Sequence, residues 1–217
     1  MILLENVDIH GWEAAIRGMR NPMNSWDRSD SKGCFIGKND LELMTKLAKA
    51  GSEHAKYRRM ITVTVDILAP LYWWKEFDTY KIGTIANSCS TMHSIHKKEF
   101  TLDDFSHEHL HDEINICKVG KHIAYIDNPT TNPVNLMSTI IGVLNCYREK
   151  YLQTKDKSFW WQMIQLLPSS YNQKRTVMLN YEVLANMYRQ RKDHKLDEWR
   201  DFCQWIEKLP YSKIITG

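Results

Sequence analysis

Residues 167–191 read LPSSYNQKRTVMLNYEVLANMYRQR. Pro168 closes the helix before it, and the apolar positions that follow recur at helical spacing, which predicts a helix from about Arg175 to Arg191. On such a helix Asn180, Leu184, Met187 and Arg191 stand at i, i+4, i+7 and i+11, on one face, with the two polar residues ~16 Å apart along the axis. Polar groups on an apolar stripe need buried partners or a ligand. A long planar ligand, or two adjacent ones, satisfies both ends. The alternative is that Arg191 marks the helix end, where a cation complements the dipole.

Working outward, Phe159 to Leu167 read as a short helix. Asn132-Pro133 open a long one carrying Leu136, Ile140, Val143, Leu144, Tyr147 and Tyr151 on one side. Leu196 to Leu209 form a last helix. Toward the other end, Met1 to Leu4 and Val7 to Ile9 suit a short strand, Trp12 to Met19 a helix broken at Asn21-Pro22, and 24–38 a loop. Asp40 caps a helix with the stripe Leu41, Met44, Leu47 and Ala48, closed by Gly51. Ile61, Val63, Val65 and Ile67 alternate with Thr62, Thr64 and Asp66, the period of a half-buried strand. Pro70 ends that strand and opens a helix. Residues 101–133 are acidic and His-bearing, with a capped turn at Thr101 to Asp104 as their only clear element. No repeat or linker divides the chain, so 1–217 is read as a single α+β domain.

Composition excludes several classes. The 217 residues include 8 Trp, 10 Tyr and 6 Phe, enough apolar area to offset ordering entropy, against only 9 Gly and 6 Pro. The 29 Lys and Arg against 26 Asp and Glu leave a net charge of +3, too small for a broad nucleic-acid or membrane footprint. Any phosphate recognition is therefore local. Five widely spaced cysteines without a CxxC pair read as reduced thiols. The longest apolar run, Ile67 to Trp74, is short of the ~20 residues a membrane helix needs. The expectation is a soluble, cytoplasmic protein without nucleic-acid or membrane partners.

Two clusters carry possible chemistry. His107, His109 and His111, with Asp103, Asp104, Glu108, Asp112 and Glu113, are the densest set of metal-ligand types and suggest a metal-dependent hydrolase, but no second cluster completes a site, and a solvated face accounts for them. Cys89 lies in a small polar stretch between two apolar helices, with His93 four residues on. A helix would put thiol and imidazole on one face, the arrangement of an activated nucleophile; a small residue at a packed contact is the plainer reading.

The order of parts resembles the flavin-dependent thymidylate synthases. In that family a histidine precedes the proline of an Ala-Pro strand end by sixteen residues, as His54 precedes Pro70. After Leu-Pro the family places a flavin-contacting Asn, another Asn and a catalytic Arg at fixed intervals, and Asn180, Asn186 and Arg191 fall there without a gap. The family's Arg-His-Arg signature is missing: Thr79 or Tyr80 takes the place of its first arginine, and Lys81 alone keeps a cation. Asn87 with Ser90, or Cys89 in a shifted alignment, takes the place of later signature residues, whose final arginine is gone. Glu76 stands where the family has a nucleotide-binding Gln, and Ile164 where it has an arginine.

The resemblance implies an antiparallel sheet packed against helices and methyl transfer from methylenetetrahydrofolate to C5 of a uracil nucleotide such as dUMP, with FAD and NADPH supplying reducing equivalents. It implies a homotetramer. It places His54, Tyr80, Lys81, Asn180 and Asn186 at the flavin, and Glu76, Asn87, Cys89, Ser90 and Arg191 at the nucleotide, with Arg191 catalytic. Lys81, Lys174, Arg175, Arg58 and Arg59 are the cations left for phosphate. Trp73, Trp74 and Tyr72 line an aromatic floor or, more simply, pack a core. A non-catalytic descendant that binds a nucleotide or a protein is the alternative.

Overall fold

The computed structural model describes residues 1–112, 117–119, 122–124 and 132–217, with the backbone alone for 117–119 and 122–124. Two compact units are formed, one from Met1–Ala69, Trp73–Ser88 and Lys174–Gly217, the other from Pro70–Tyr72 and Cys89–Gln173.

The first unit is built on four strands: β1 (Leu3–His10), β2 (Thr62–Pro70), β3 (Ile85–Ser88) and β6 (Asn172–Asn180), in the order β1-β2-β6-β3. β1 pairs antiparallel with β2, and β3 with β6. The Tyr181 N–H donates to Ile61 O at 3.0 Å and Thr176 Oγ1 to Asp66 at 2.6 Å, the opposite-running order of an antiparallel β2/β6 pair. β2 follows the alternation read from sequence: Val63, Val65 and Ile67 are fully buried, and Thr62, Thr64 and Asp66 are half-buried. Helices α1 (Trp12–Arg20), α2 (Lys38–Lys49), α3 (Leu71–Phe77), α7 (Tyr181–Arg191), α8 (Asp197–Glu207) and α9 (Lys213–Thr216) accompany the sheet.

The expected helix from Arg175 is instead the end of β6 as far as Asn180. Val177 and Leu179 are fully buried, while Thr176 and Met178 face outward, so a period of two governs the segment and the helix begins only at Tyr181. Asn180 therefore does not share a helical face with Leu184, Met187 and Arg191. Asp40 does not cap α2 either. It lies in the first turn, fully buried, and accepts from Arg20 Nε at 2.6 Å, Ser29 Oγ at 2.7 Å and Ser31 Oγ at 2.6 Å. Asp30 takes the capping role, accepting from the Asn39 and Asp40 N–H groups.

The second unit contains α4 (Thr91–Ser94), the ladder of β4 (Cys117–Val119) with β5 (His122–Ala124), α5 (Pro133–Thr154) and α6 (Lys157–Leu166). Asn132 caps α5 with Pro133 at its first position, as read. Its buried stripe is rotated from the expected one: Met137 and Leu144 enter the core with Ile95, Phe100, Phe105 and Met163, whereas Leu136 and Val143 are exposed. The turn at Thr101 to Asp104 forms with its reciprocal capping bonds. Cys89 follows strand β3 rather than sitting between two helices, and the four-residue α4 begins after it, so Cys89 and His93 do not share a helix.

Among the described residues no helix is long and apolar enough to cross a membrane.

Candidate functional site

α3 buries Trp73, Trp74 and Phe77 in an aromatic cluster with Trp199 and Phe202. The tryptophans thus serve the core, and Glu76 is left on the half-buried side of the same helix. Thr79 Oγ1 donates to Glu76 O at 2.7 Å, closing the helix end and starting the loop that carries Tyr80 and Lys81. Gly83, at φ +79°, turns that loop against α7: a Cβ there would sit 3.0 Å from both Asn180 Nδ2 and Val183 Cγ2.

Arg191, at the end of α7, reaches this loop. Its Nη1 donates to Glu76 Oε2 at 2.8 Å and its Nε to the Tyr80 hydroxyl at 2.9 Å. Tyr80 in turn donates to Gln190 Oε1 at 2.8 Å. The guanidinium lies 4.8 Å from the Trp199 ring centroid and 5.6 Å from that of Tyr80, within cation–π range. Trp199 Nε1 donates to the same Glu76 oxygen at 2.9 Å, and His194 Nε2 is 3.4 Å from it. His194 Nδ1 accepts from the Leu196 N–H, so in the neutral ring Nε2 carries the proton facing Glu76. Two donors, from Arg191 and Trp199, thus converge on one carboxylate oxygen, with the His194 ring beside it.

The structure thus brings together Glu76, Tyr80 and Arg191 from the sequence-derived set and adds Trp199 and His194, which sequence reasoning missed. Those two are far from Glu76 along the chain and belong to no motif; only the turn after α7 returns them.

The remaining candidates are placed as follows. Asn180 is the N-cap of α7, its Oδ1 accepting from the Glu182 and Val183 N–H groups at 3.1 and 3.0 Å. Asn186 Oδ1 accepts from Arg189 at 2.8 Å. Asn87 lies on β3 opposite Thr176, exposed. In the second unit the Cys89 carbonyl accepts from Gln173 Nε2 at 2.8 Å, and Ser90 Oγ caps α4. His54 is exposed on a separate cleft of about 1170 Å³, lined by Met19, Leu43, Leu47, Lys56 and Met60 among others.

Of the candidate cations, Arg58 is buried against Glu182 at 3.5 Å, Lys174 pairs with Glu5 and Asp66, and Arg175 pairs with Asp78 at 2.7 Å while stacking 4.2 Å from the Trp74 centroid. Lys81 is exposed beside Tyr80, on a pocket of about 420 Å³ shared with Phe77, Asp78 and Thr84. The histidine segment gathers no site: among the described residues no three His, Cys, Asp or Glu side chains are grouped as a metal site, and His107 Nδ1 lies 2.8 Å from the Phe105 carbonyl. Glu113 lies outside the described residues.

Comparison with solved structures decides the fold. The flavin-dependent thymidylate synthase ThyX of Helicobacter pylori, complexed with FAD and dUMP, superposes with a TM-score of 0.67 over 99% of this chain and 97% of that one, at 17% identity. The chain has the flavin-dependent thymidylate synthase fold. The UMP/dUMP methylase PolB of Streptomyces cacaoi, bound with 5-Br UMP, shares this fold with a TM-score of 0.62 over 98% of this chain and 92% of that one, at 14% identity. No protein-family model and no curated protein matches the sequence. In this thymidylate synthase fold the Glu76–Arg191 pair belongs to α3 and α7, the helices that follow β2 and β6.

Proposed function

We propose that the chain methylates C5 of a pyrimidine nucleotide, dUMP or a relative, using FAD, methylenetetrahydrofolate and NADPH, with 1–217 acting as one catalytic domain. The observation that supports this reading most is Arg191, fixed at three points by Glu76, Tyr80 and the Trp199 face, within a fold shared over 99% of the chain with a synthase holding FAD and dUMP.

The residues present fit a flavin. The cleft at His54 joins an apolar wall (Met19, Leu43, Leu47 and Met60) to the exposed cations Arg28 and Lys56, a donor set matched to a planar ring and a pyrophosphate. Asn180 Nδ2, Tyr80 and Lys81 offer polar contacts outside the lining of that cleft, and Asn186 extends them along α7. No lining residue is common to the two places, and a site assembled from several copies in a homotetramer would join them. Bound flavin would supply the reducing equivalents.

In this reading Arg191 holds the pyrimidine and stabilises negative charge developing on its oxygens as C5 becomes nucleophilic, a task for a planar, permanently charged donor. Glu76 orients Arg191. Asn87 lines the nucleotide, and Lys81, with no ion pair among the described residues, takes its phosphate. The alternative, a nucleotide- or protein-binding descendant without catalysis, draws support from the missing Arg-His-Arg signature and from Arg191 being neutralised by Glu76.

The test is the absorbance spectrum of purified protein with and without FAD, followed by titration with nucleotide. A flavin spectrum that shifts on adding nucleotide supports the enzyme; protein that stays colourless with FAD supports the descendant.

A further inference from the structure

Residues 21–35 contribute no buried side chain, so packing does not hold this stretch against the first unit. Directed hydrogen bonds do, and they converge on one buried ion pair. Arg20 Nε donates to Asp40 Oδ1 at 2.6 Å, and the guanidinium also serves the loop: Nη1 donates to the Ser25 carbonyl at 3.0 Å and Nη2 to the Arg28 carbonyl at 3.1 Å. Asp40 Oδ2 accepts from Ser29 Oγ at 2.7 Å, the Asp30 N–H at 3.1 Å and Ser31 Oγ at 2.6 Å. Ser31 Oγ accepts in turn from the Gly37 N–H, and the loop closes so tightly there that a Cβ on Gly37 would overlap Asp30 Cγ and the Asp30 carbonyl.

Stability by itself does not call for this arrangement, because well-packed apolar residues of similar volume hold a core at least as well as a buried ion pair. What the pair adds is direction: it fixes the backbone at Ser25, Arg28 and Asp30, where no apolar anchor does. Arg20, Ser25 and Arg28 belong to the lining of the cleft at His54, whereas Ser29, Ser31, Gly37 and Asp40 do not. Resting on the flavin reading above, we infer that Arg20 and Asp40 are positioning residues for the cofactor. They keep Arg28, a cation of that cleft, in its wall, so that affinity for FAD depends on bonds made behind the lining. A binding wall held in place before the ligand arrives spares the ligand the cost of ordering it.

Titration of the full-length chain with FAD, paired with trypsin cleavage after Arg28 and Lys32, tests this. In the parent, FAD is expected to slow both cleavages. Ser29→Ala combined with Ser31→Ala, and separately Gly37→Ala, disturb the loop without touching a lining residue. Each is expected to be cut faster and to bind FAD about tenfold more weakly, the loss when the loop is competent only a tenth of the time. Ile67→Val, a truncation in the sheet core, is the control for lost stability and is expected to hold FAD affinity within about twofold, because distant sites act independently. Parent protein that binds no FAD overturns the flavin reading and this inference together. Parent protein that binds FAD without slower cleavage, loop variants that bind FAD as tightly as the parent, or a control as weak as the loop variants overturn the inference alone. The parent cleavage decides even where no loop variant folds.

Discussion

Arg191 donates to Glu76 at 2.8 Å while its guanidinium lies 4.8 Å from the Trp199 centroid, so its charge is aimed by a carboxylate and an aromatic face together. A point charge on a flexible stem does not reproduce this, because lysine lacks the planar fork that engages Tyr80 and Glu76 together. Arg191→Ala is expected to lower nucleotide methylation by about 10²-fold or more, the usual cost of removing a donor from developing charge. Arg191→Lys is expected to stay at least about tenfold below the parent. Single-turnover assays with FAD and methylenetetrahydrofolate measure both, and a lysine variant as fast as the parent would remove guanidinium geometry from the mechanism.

Asn180 separates a structural duty from a cofactor contact. Its Oδ1 caps two N–H groups of α7, and its Nδ2 stands against Gly83. Asn180→Asp keeps the acceptor and is expected to hold stability, whereas Asn180→Ala loses about 1–2 kcal/mol in urea unfolding. If Nδ2 touches flavin, Asn180→Asp weakens FAD binding with the unfolding midpoint unchanged. Equal FAD affinity in parent and Asp variant would confine the residue to capping.

What was legible in the sequence follows from how local each signal is. β2 and the start of α5 rest on neighbouring residues, alternating β-branched side chains in one case and Asn132-Pro133 in the other, and both formed as read. β6 reads as helix because its outward residues include Met178 and its alternation runs directly into an apolar helix, so helical spacing absorbs the strand. Arg191 is marked by helical spacing as a polar residue on an apolar stripe, whereas Glu76 and Tyr80 are reached only through the family resemblance. Trp199 and His194 were invisible because their partner is 123 residues away in the first case and joined through space in the second.

The cysteines divide by environment. Burial, with nearby Glu207 and Asp193, pushes the Cys203 thiol up to about 12, which keeps it protonated and unreactive. Cys34, Cys89 and Cys146 are exposed. Iodoacetamide at pH 8 followed by peptide mass mapping is expected to label those three and spare Cys203 until denaturant is added. Cys89→Ser is expected to keep methylation within about twofold of the parent, because in the chemistry proposed above flavin would take the place of an enzyme thiolate; loss of about 10²-fold would make Cys89 a nucleophile.

The Arg20–Asp40 pair sets an acid limit on the first unit. Burial by itself raises the Asp40 carboxyl, but hydrogen bonds from Ser31, Ser29, Arg20 and the Asp30 N–H outweigh it and hold the group below its ordinary value of 3.8. A carboxyl depressed in the folded state contributes stability that is fully present above the unfolded value and is lost as pH falls through the folded one. Asp40→Asn removes that contribution and leaves the buried Arg20 charge without an ionic partner, with only neutral acceptors such as the Ser25 and Arg28 carbonyls and the Ser25 hydroxyl around it, a cost of about 3 kcal/mol near neutrality. Urea unfolding of parent and variant from pH 7 downward is expected to show a constant gap to about pH 5, narrowing below 3.8 as the parent's Asp40 protonates. A gap independent of pH down to 2.5 would mean that the ionised carboxylate contributes nothing and that packing alone accounts for the loss.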